Sequence, residues 1–465
     1  MPPTYVAGVD SSTQSCKVSV HDLATGEVVR NGRASHPSGT EVDPEAWWSA
    51  LQAAIADAGG LDDVSAISVA AQQHGLVALD AQGDVVRDAL LWNDVRSADA
   101  AAALAAEVGA EEYARRVGVV PVASFTAAKL RWLRDQEPEN AAGRRGRPPA
   151  RLALLAAPRL RSRACERARS RSRRPRHRSL RCERHGVLEC RGGRIRPGAA
   201  RTRTRSSPRP PARARPRRPD GGHSRRCGRR RRSRRQRRRC PRTRARPGDA
   251  VISIGTSGTV FAVSDLPISD PRGVVAGFAD GSGNYLPLVA TLNAARVLDA
   301  IAGLLGVDHG ELARLALDCA PGADGLVLQP YFEGERTPNR PDATATLFGM
   351  SLSSTRRETL ARAAIEGLLC GLADGLDAIR RCGVPAGRIL LIGGAARNPA
   401  VSQIATQVFD VPIVVPGIDE AVARGAAVQA AWALTGERPS WTDEDARSFA
   451  ADHRPLIRQQ YAARA

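Results

Sequence analysis

Two α/β domains flanking a long arginine-rich segment are the fold class this sequence predicts. Three observations carry it. Short apolar runs alternate with helical periods over the first 142 residues, the same alternation resumes at Gly248, and between them neither the two-residue nor the 3.6-residue period persists. In chain order, "YVAGVD" from Tyr5, "CKVSVHDL" from Cys16, "VSAISVAA" from Val64 and "HGLVALDAQGDVV" from His74 read as strands. "DPEAWWSALQAAIADAG" reads as an amphipathic helix that Asp43 caps and Pro44 opens. "ADAAAALAAEVGAEEYARRVG" and "FTAAKLRWLRDQEPE" add helices before the pattern stops near Ala142. From Gly248, "DAVISIGTSGTVFAVSD" predicts a hairpin turning at Gly255 to Gly258. "RRETLARAAIEGLLCGLADGLDAIRRCG" predicts a long helix, and "RILLIGGA" a strand that runs into a glycine turn. The expected boundaries are 1–142, 143–247, 248–445 and a tail at 446–465.

Charge divides the chain in the same places. The 465 residues carry a formal net charge of +21, a balance that ordinarily points to nucleic acid or an anionic surface. Residues 143–247 alone hold 41 arginines, no lysine and four acids, a net of +37, which leaves −16 for the remainder. That window is rich in Arg, Pro and Ser and is not expected to fold natively, since it has too little apolar surface to offset its ordering entropy. Five of the nine cysteines (Cys165, Cys182, Cys190, Cys227 and Cys240) also fall in it, without the paired spacing of a zinc site. No apolar run approaches the roughly 20 residues that span a bilayer, and "MPPTYVAGVD" lacks the basic and apolar regions of a secretory leader. A cytoplasmic protein with reduced thiols and no membrane partner is the expectation.

Three short stretches carry candidate chemistry. "GVDSSTQSCKVSV" places Asp10 at the end of a buried strand, followed by hydroxyl residues and a second strand. Such a hairpin can aim backbone N–H groups at a phosphate while the carboxylate holds Mg²⁺ or its water. "SIGTSGTV" repeats the design, with Gly255 and Gly258 permitting close backbone approach. "ILLIGGAARNPAVSQ" ends a strand in Gly393 and Gly394 and opens a helix near Asn398 and Pro399, a setting suited to a nucleotide at a helix N-terminus. Each stretch alone also has a plainer reading, as a tight turn or a glycine needed for packing.

Together they resemble the FGGY carbohydrate kinase family, within the larger actin-like ATPase group. The resemblance covers about residues 4–142 and 248–445, and extends to "AAQQHGLVALDAQGDVVRDALLWNDVRS", "QPYFEGERTPNRPDATATLFGMSL" and "DEAVARGAAVQAAWAL". It implies two ribonuclease-H-like domains closing over an interdomain cleft on two small molecules, a sugar and a nucleotide, with ATP and Mg²⁺ required. By the same likeness Ser11, Thr13, Gly255, Thr256, Ser257, Gly258, Gly393, Gly394 and Asn398 would bind ATP, and Asp10 the metal. Gln73 and His74 would contact the sugar, with Trp92, Asn93 and Asp94 lining the same cleft. Gln73–His74–Gly75 followed by "LLWND" is similar to the family's xylulose-phosphorylating members, which implies transfer of the γ-phosphoryl group to the terminal hydroxyl of D-xylulose. Another sugar or polyol is the alternative.

The family carries its catalytic Asp in a "GDN" stretch before the second phosphate hairpin, and in this chain the arginine tract occupies that place. A one-base slip accounts for both facts. "RRSRRQRRRC", residues 231–240, can be encoded CGT CGG AGC CGG CGA CAA CGC CGC CGC TGC, and the same nucleotides read one base later give "VGAGDNAAA". The Asp codon then straddles Arg235 and Gln236, so no catalytic base is intact. The same offset permits "TDRSAASGTGYWS" from "RHRSLRCERHGVLEC" and "LPHD" from "AAPRL", both in family order. A slip near Ala142 to Arg147, reversed near Ala245 to Gly248, is expected to leave a truncated first domain and little phosphorylation of xylulose. The rival from another class is a basic arm that binds nucleic acid through phosphate contacts. It has no interleaved aromatics for base stacking and replaces the centre of a domain, so nucleic acid is disfavoured as a partner.

Overall fold

The computed structural model describes residues 4–80, 82–142, 245–443 and 445–464, together with the backbone pairing of 151–152. Residues 143–150 and 153–244 of the arginine-rich window, Arg235 and Gln236 among them, lie outside the described residues.

The first sheet has the order β3-β2-β1-β4, built from β1 (Tyr5–Ser11), β2 (Ser15–Asp22), β3 (Val28–Ser35) and β4 (Val64–Ala71). β1 pairs antiparallel with β2 and parallel with β4, so Asp10 lies between Lys17 and Ala70. Residues of β1 and β2 are buried on both faces beneath helix α1 (Pro44–Asp57), whose Ala50, Leu51 and Ala54 complete a small core. The Asp43 side chain accepts from Glu45 N at 2.9 Å and so caps α1. We expect Asp43→Ala to lower stability by about 1 kcal/mol, measured as a shift in denaturant midpoint at constant slope.

The second sheet repeats the plan on a larger scale. Its order is β7-β8-β6-β5-β9-β10-β11, with β5 (Asp249–Ile254), β6 (Gly258–Ala262), β7 (Ala276–Ala279), β8 (Tyr285–Thr291), β9 (Arg388–Ile392), β10 (Ile413–Val415) and β11 (Arg447–Phe449). β5 takes the central place that β1 holds in the first sheet, with an antiparallel ribbon on one side and parallel β9 on the other. Here β10 lies beyond β9, whereas among the described residues β4 ends the first sheet. The difference shows in burial, because β9 and β10 are almost wholly covered while every residue of β4 stays partly exposed. Helix α3 (Arg357–Arg381) runs through the main core, and the stretch expected as a tail contributes β11 together with Ile457 and Tyr461, both buried.

One helix ties the two sheets together. α5 (Ala421–Thr435) follows β10 in sequence but packs over β1 and β4, presenting Ala423, Ala426, Ala427, Ala430 and Ala431. Gly8 on β1 sits so close to it that a Cβ would overlap Ala423 O and Ala427 N, both backbone atoms.

One expected strand is mostly a turn. In "HGLVALDAQGDVV" only Ala78–Leu79 is strand, with single bridges from Leu76 to Leu90 and from Leu79 to Val85. The Asp80 carboxylate accepts from Gln82 N and Asp84 N and folds the chain back on itself.

Candidate functional site

The first hairpin places Asp10 one residue from the end of β1, with 8% of its surface exposed. Its carboxylate has no hydrogen-bond donor among the described residues. Burial raises its pKa, Lys17 opposes that rise and Glu420 adds to it. Lys17 Nζ turns to Glu420, at 2.7 Å. A buried carboxylate left without a donor fits a cation, and Mg²⁺ in a phosphotransferase takes only one or two carboxylates plus the nucleotide's own phosphates. In line with that, no group of three or more His, Cys, Asp or Glu suited to a metal occurs among the described residues. The turn itself closes through Ser12 N and Oγ on Ser15 O, at 3.1 and 3.2 Å. Ser11 O accepts from Gln72 N, and Thr13 Oγ1 accepts from Trp92 Nε1 at 2.8 Å, which ties the hairpin to the sugar-side residues.

The second hairpin turns at Gly255–Ser257, where Gly255 N donates to Ser257 O at 3.2 Å and Thr256 is exposed. Gly258 is also required by packing, since a Cβ there would meet the Thr291 hydroxyl and Leu372 Cδ2 of β8 and α3. At the end of neighbouring β9, Gly393 adopts φ +97 and a Cβ would lie 2.5 Å from Ile254 O. Only glycine satisfies both constraints. Gly394 has open space around it. Asn398 also caps a helix. Its Oδ1 accepts from Ala400 N at 2.9 Å and Val401 N at 3.3 Å, capping α4 (Pro399–Val408), and its Nδ2 donates to His309 O of a separate helix.

Among the residues expected to contact the sugar, His74 holds φ +67, uncommon for a residue with a Cβ, and its ring packs edge-on against Phe125 at 4.8 Å. Phe278 of β7 lies against the same ring at 5.2 Å, so the second sheet also touches it. Burial, then the charges of Arg336 and Lys129, push the imidazole down to about 4, which makes it a neutral hydrogen-bonding group at physiological pH. Gln73 is exposed, whereas Gln72 Oε1 and Asn93 Oδ1 are buried without a donor. Asp94 does not reach out to a ligand as expected. It is 3% exposed, and its carboxylate accepts from Thr40 Oγ1 at 2.9 Å and from Arg96 N and Nε. Burial acts to raise its pKa, but those bonds hold it below the usual range. Asp94 therefore positions the loop that carries Trp92 and Asn93.

Two residues of the site escaped the sequence. Lys129 on helix α2 (Thr126–Gln136) is fully buried, its Nζ donating to Ala123 O at 2.6 Å and lying 3.5 Å from Asp94 O. Burial brings its pKa down to about 8, against the pull of Asp94. Its position on the same helix face as buried Ala128 and Leu133 was the signal available. Gln72 stood one place before the pair singled out.

The low pKa of His74 has a measurable sign. Folded protein holds this ring neutral to about pH 4 while the unfolded chain protonates near 6.5. The unfolded state therefore binds more protons between those values, so stability is full above pH 6.5 and falls as pH drops toward 4. We expect a loss of up to ~3 kcal/mol over that window, diminished in His74→Gln, by chemical denaturation at stepped pH.

Comparison with known proteins gives an end-to-end match. Residues 5–145 match a family model described as the FGGY family of carbohydrate kinases, N-terminal domain, and residues 250–434 match that family's C-terminal domain. A xylulose kinase of Streptomyces rubiginosus is 38% identical over 451 residues, covering 94% of this chain and 89% of the relative. One from Streptomyces coelicolor is 39% identical over 448 residues, covering 93% and 88%. The crystal structure of xylulose kinase from Bifidobacterium adolescentis superimposes with a TM-score of 0.70 at 37% identity, covering 100% of both chains.

Proposed function

Because this chain belongs to the FGGY family of carbohydrate kinases, we propose that its cleft binds D-xylulose and ATP for transfer of the γ-phosphoryl group to the sugar's terminal hydroxyl, giving xylulose 5-phosphate. The observation that carries this reading is the match to xylulose kinases along nine-tenths of the chain. The first half supplies groups that support a sugar site, a neutral imidazole at His74, an indole at Trp92 and a buried amide oxygen on Asn93 that lacks a donor.

Each group has a stated task. The hairpins at Ser11–Thr13 and Gly255–Ser257 present backbone and hydroxyl donors to the polyphosphate, and Gly393 and Gly394 let the nucleotide approach the end of β9. Asp10 would hold Mg²⁺, which when bound neutralises charge on the polyphosphate. Lys17 Nζ bonds Glu420 rather than Asp10, so the Asp10 carboxylate stays without a donor among the described residues. His74 and Asn93 orient the sugar, and Asp94 with Lys129 fixes the loop beneath them. Removal of the hydroxyl proton needs a carboxylate. We place that carboxylate in the alternative frame at Arg235 and Gln236, so the chain retains binding groups and lacks its base.

A coupled assay of ADP release tests the assignment, using the frame-corrected chain with D-xylulose, other pentuloses, hexoses and glycerol. D-xylulose is expected to give the highest kcat/KM. A preference for glycerol or a hexose overturns the substrate assignment, and no sugar-dependent ADP release overturns the kinase assignment.

A further inference from the structure

A buried carboxylate in the second half has no role in the assignments above. Glu335 is 4% exposed, and its donors are main-chain and side-chain amides. Its Oε1 accepts from Leu292 N and Arg336 N, both at 2.7 Å, and its Oε2 from Asn293 Nδ2 at 3.0 Å and Asn293 N at 3.3 Å. Asn293 Nδ2 also donates to Gly334 O at 2.8 Å. The loop at 334–336 is thereby stitched to residues 292–293, which lie in the turn between β8 and the helix Ala295–Leu305. A carboxylate suits this place because both of its oxygens accept, and buried amide groups outside a ladder must find acceptors.

That turn borders the second hairpin on two sides. Thr291 pairs with Gly258 across β8 and β6, and Ala295 N donates to Gly255 O at 2.9 Å. Ala294 gives the helix start no side-chain cap, so the turn before it fixes where Ala295 lies. In a planar trans peptide the C=O and the N–H point opposite ways. With the Gly255 carbonyl drawn to Ala295, the Thr256 N–H of the same peptide is turned away from the helix. Thr256 is exposed, and its N–H has no acceptor among the described residues. It is a main-chain donor held open in one direction, which is what a hairpin needs to take a phosphate.

We propose that Glu335 is a positioning residue for the nucleotide's polyphosphate. By fixing residues 292–293 it holds Ala295 N on Gly255 O, and that bond aims the Thr256 N–H at the phosphates. This rests on the assignment of the second hairpin to the polyphosphate made above. The Glu335 carboxylate is occupied by amides and acts only through the turn.

Isothermal titration of the full chain with ADP and Mg²⁺ and, separately, with adenosine tests it without depending on turnover. Adenosine carries no phosphate and so reports the rest of the nucleotide site. Glu335→Gln sets an NH₂ donor against amide donors and should weaken ADP binding by about 10-fold or more, with adenosine affinity kept within about 2-fold. Glu335→Asp, which keeps both oxygens on a stem one CH₂ shorter, should recover part of the loss. Ala295→Pro leaves Glu335 in place and removes the N–H that reaches Gly255 O, at a first helical position that tolerates proline, and should lower ADP affinity as Glu335→Gln does. Unchanged ADP affinity in Glu335→Gln or in Ala295→Pro overturns the inference while leaving the kinase reading standing. Equal loss of ADP and adenosine in Glu335→Gln marks a folding role and also overturns it. If the unaltered chain binds ADP no more tightly than adenosine, the second hairpin holds no phosphate, and the inference falls with that assignment.

Discussion

Correcting the reading frame across codons 140–250 will raise D-xylulose-dependent ADP release by about a hundred- to ten-thousand-fold over the chain described here, the range a positioned general base contributes. The reasoning is chemical. Asp10, both hairpins and His74 stand in the described residues, so on the reading proposed above nucleotide and sugar are held, yet Asp94 is not free to serve as the base, its carboxylate being bound to Thr40 and Arg96. Phosphoryl transfer without a proton acceptor is slowed in the chemical step, so the deficit is expected in kcat far more than in KM. The DNA across those codons supplies the companion measurement. An extra or missing base near each edge restores the "GDN" stretch. If the frame stands as translated here and this chain turns over xylulose at the rate of the corrected one, the slip is refuted and the base must be sought elsewhere.

Gly8→Ala is expected to have the largest effect of any single methyl group added to the described residues. Its new Cβ meets Ala423 O and Ala427 N, main-chain atoms of α5 that cannot rotate away. Overpacking of a well-filled core typically costs about 1–3 kcal/mol, and here relief requires lifting a whole helix, so the upper end is expected. Two residues along β1 lies Asp10, which shifts with the strand, so ADP affinity in the presence of Mg²⁺ should fall as well. Gly394→Ala serves as the control for stability, since a Cβ there meets nothing within 4 Å. Equal denaturant midpoints for the two variants would show that α5 does not clamp the first sheet.

Much of the fold was legible because it is written in local signals. Asp43 before Pro44 marked the start of α1, the run from Arg356 gave a helix of several turns, and glycines at 255 and 393 marked strand ends. What remained hidden depends on distant partners. Nothing local says that the alanines of α5 lie on the sheet opened by Tyr5, or that Asp80 folds its own strand into a turn. The site divides along the same line. Asp10 and His74 stood out by motif, whereas the duties of Asp94 and Asn398 became visible only with their bonding partners in place. A carboxylate or amide beside a glycine turn looks the same in sequence whether it greets a ligand or caps a helix. Lys129 was passed over for a related reason: an ordinary basic residue becomes unusual only when burial removes its water.

Among the described residues no strand pairs with the outer flank of β4, and a flank left open has a consequence for the protein in the cell. Val64–Ala71 carries no charge and no proline, the features that usually keep a terminal strand from recruiting a partner. Two such chains can meet flank to flank, each completing the other's ladder. Recovery of soluble protein should therefore fall as expression rises, with chaperones and proteases competing for what remains. A lysine at Ser65, the most exposed position of the strand, would act as a gatekeeper and improve yield without touching the cleft.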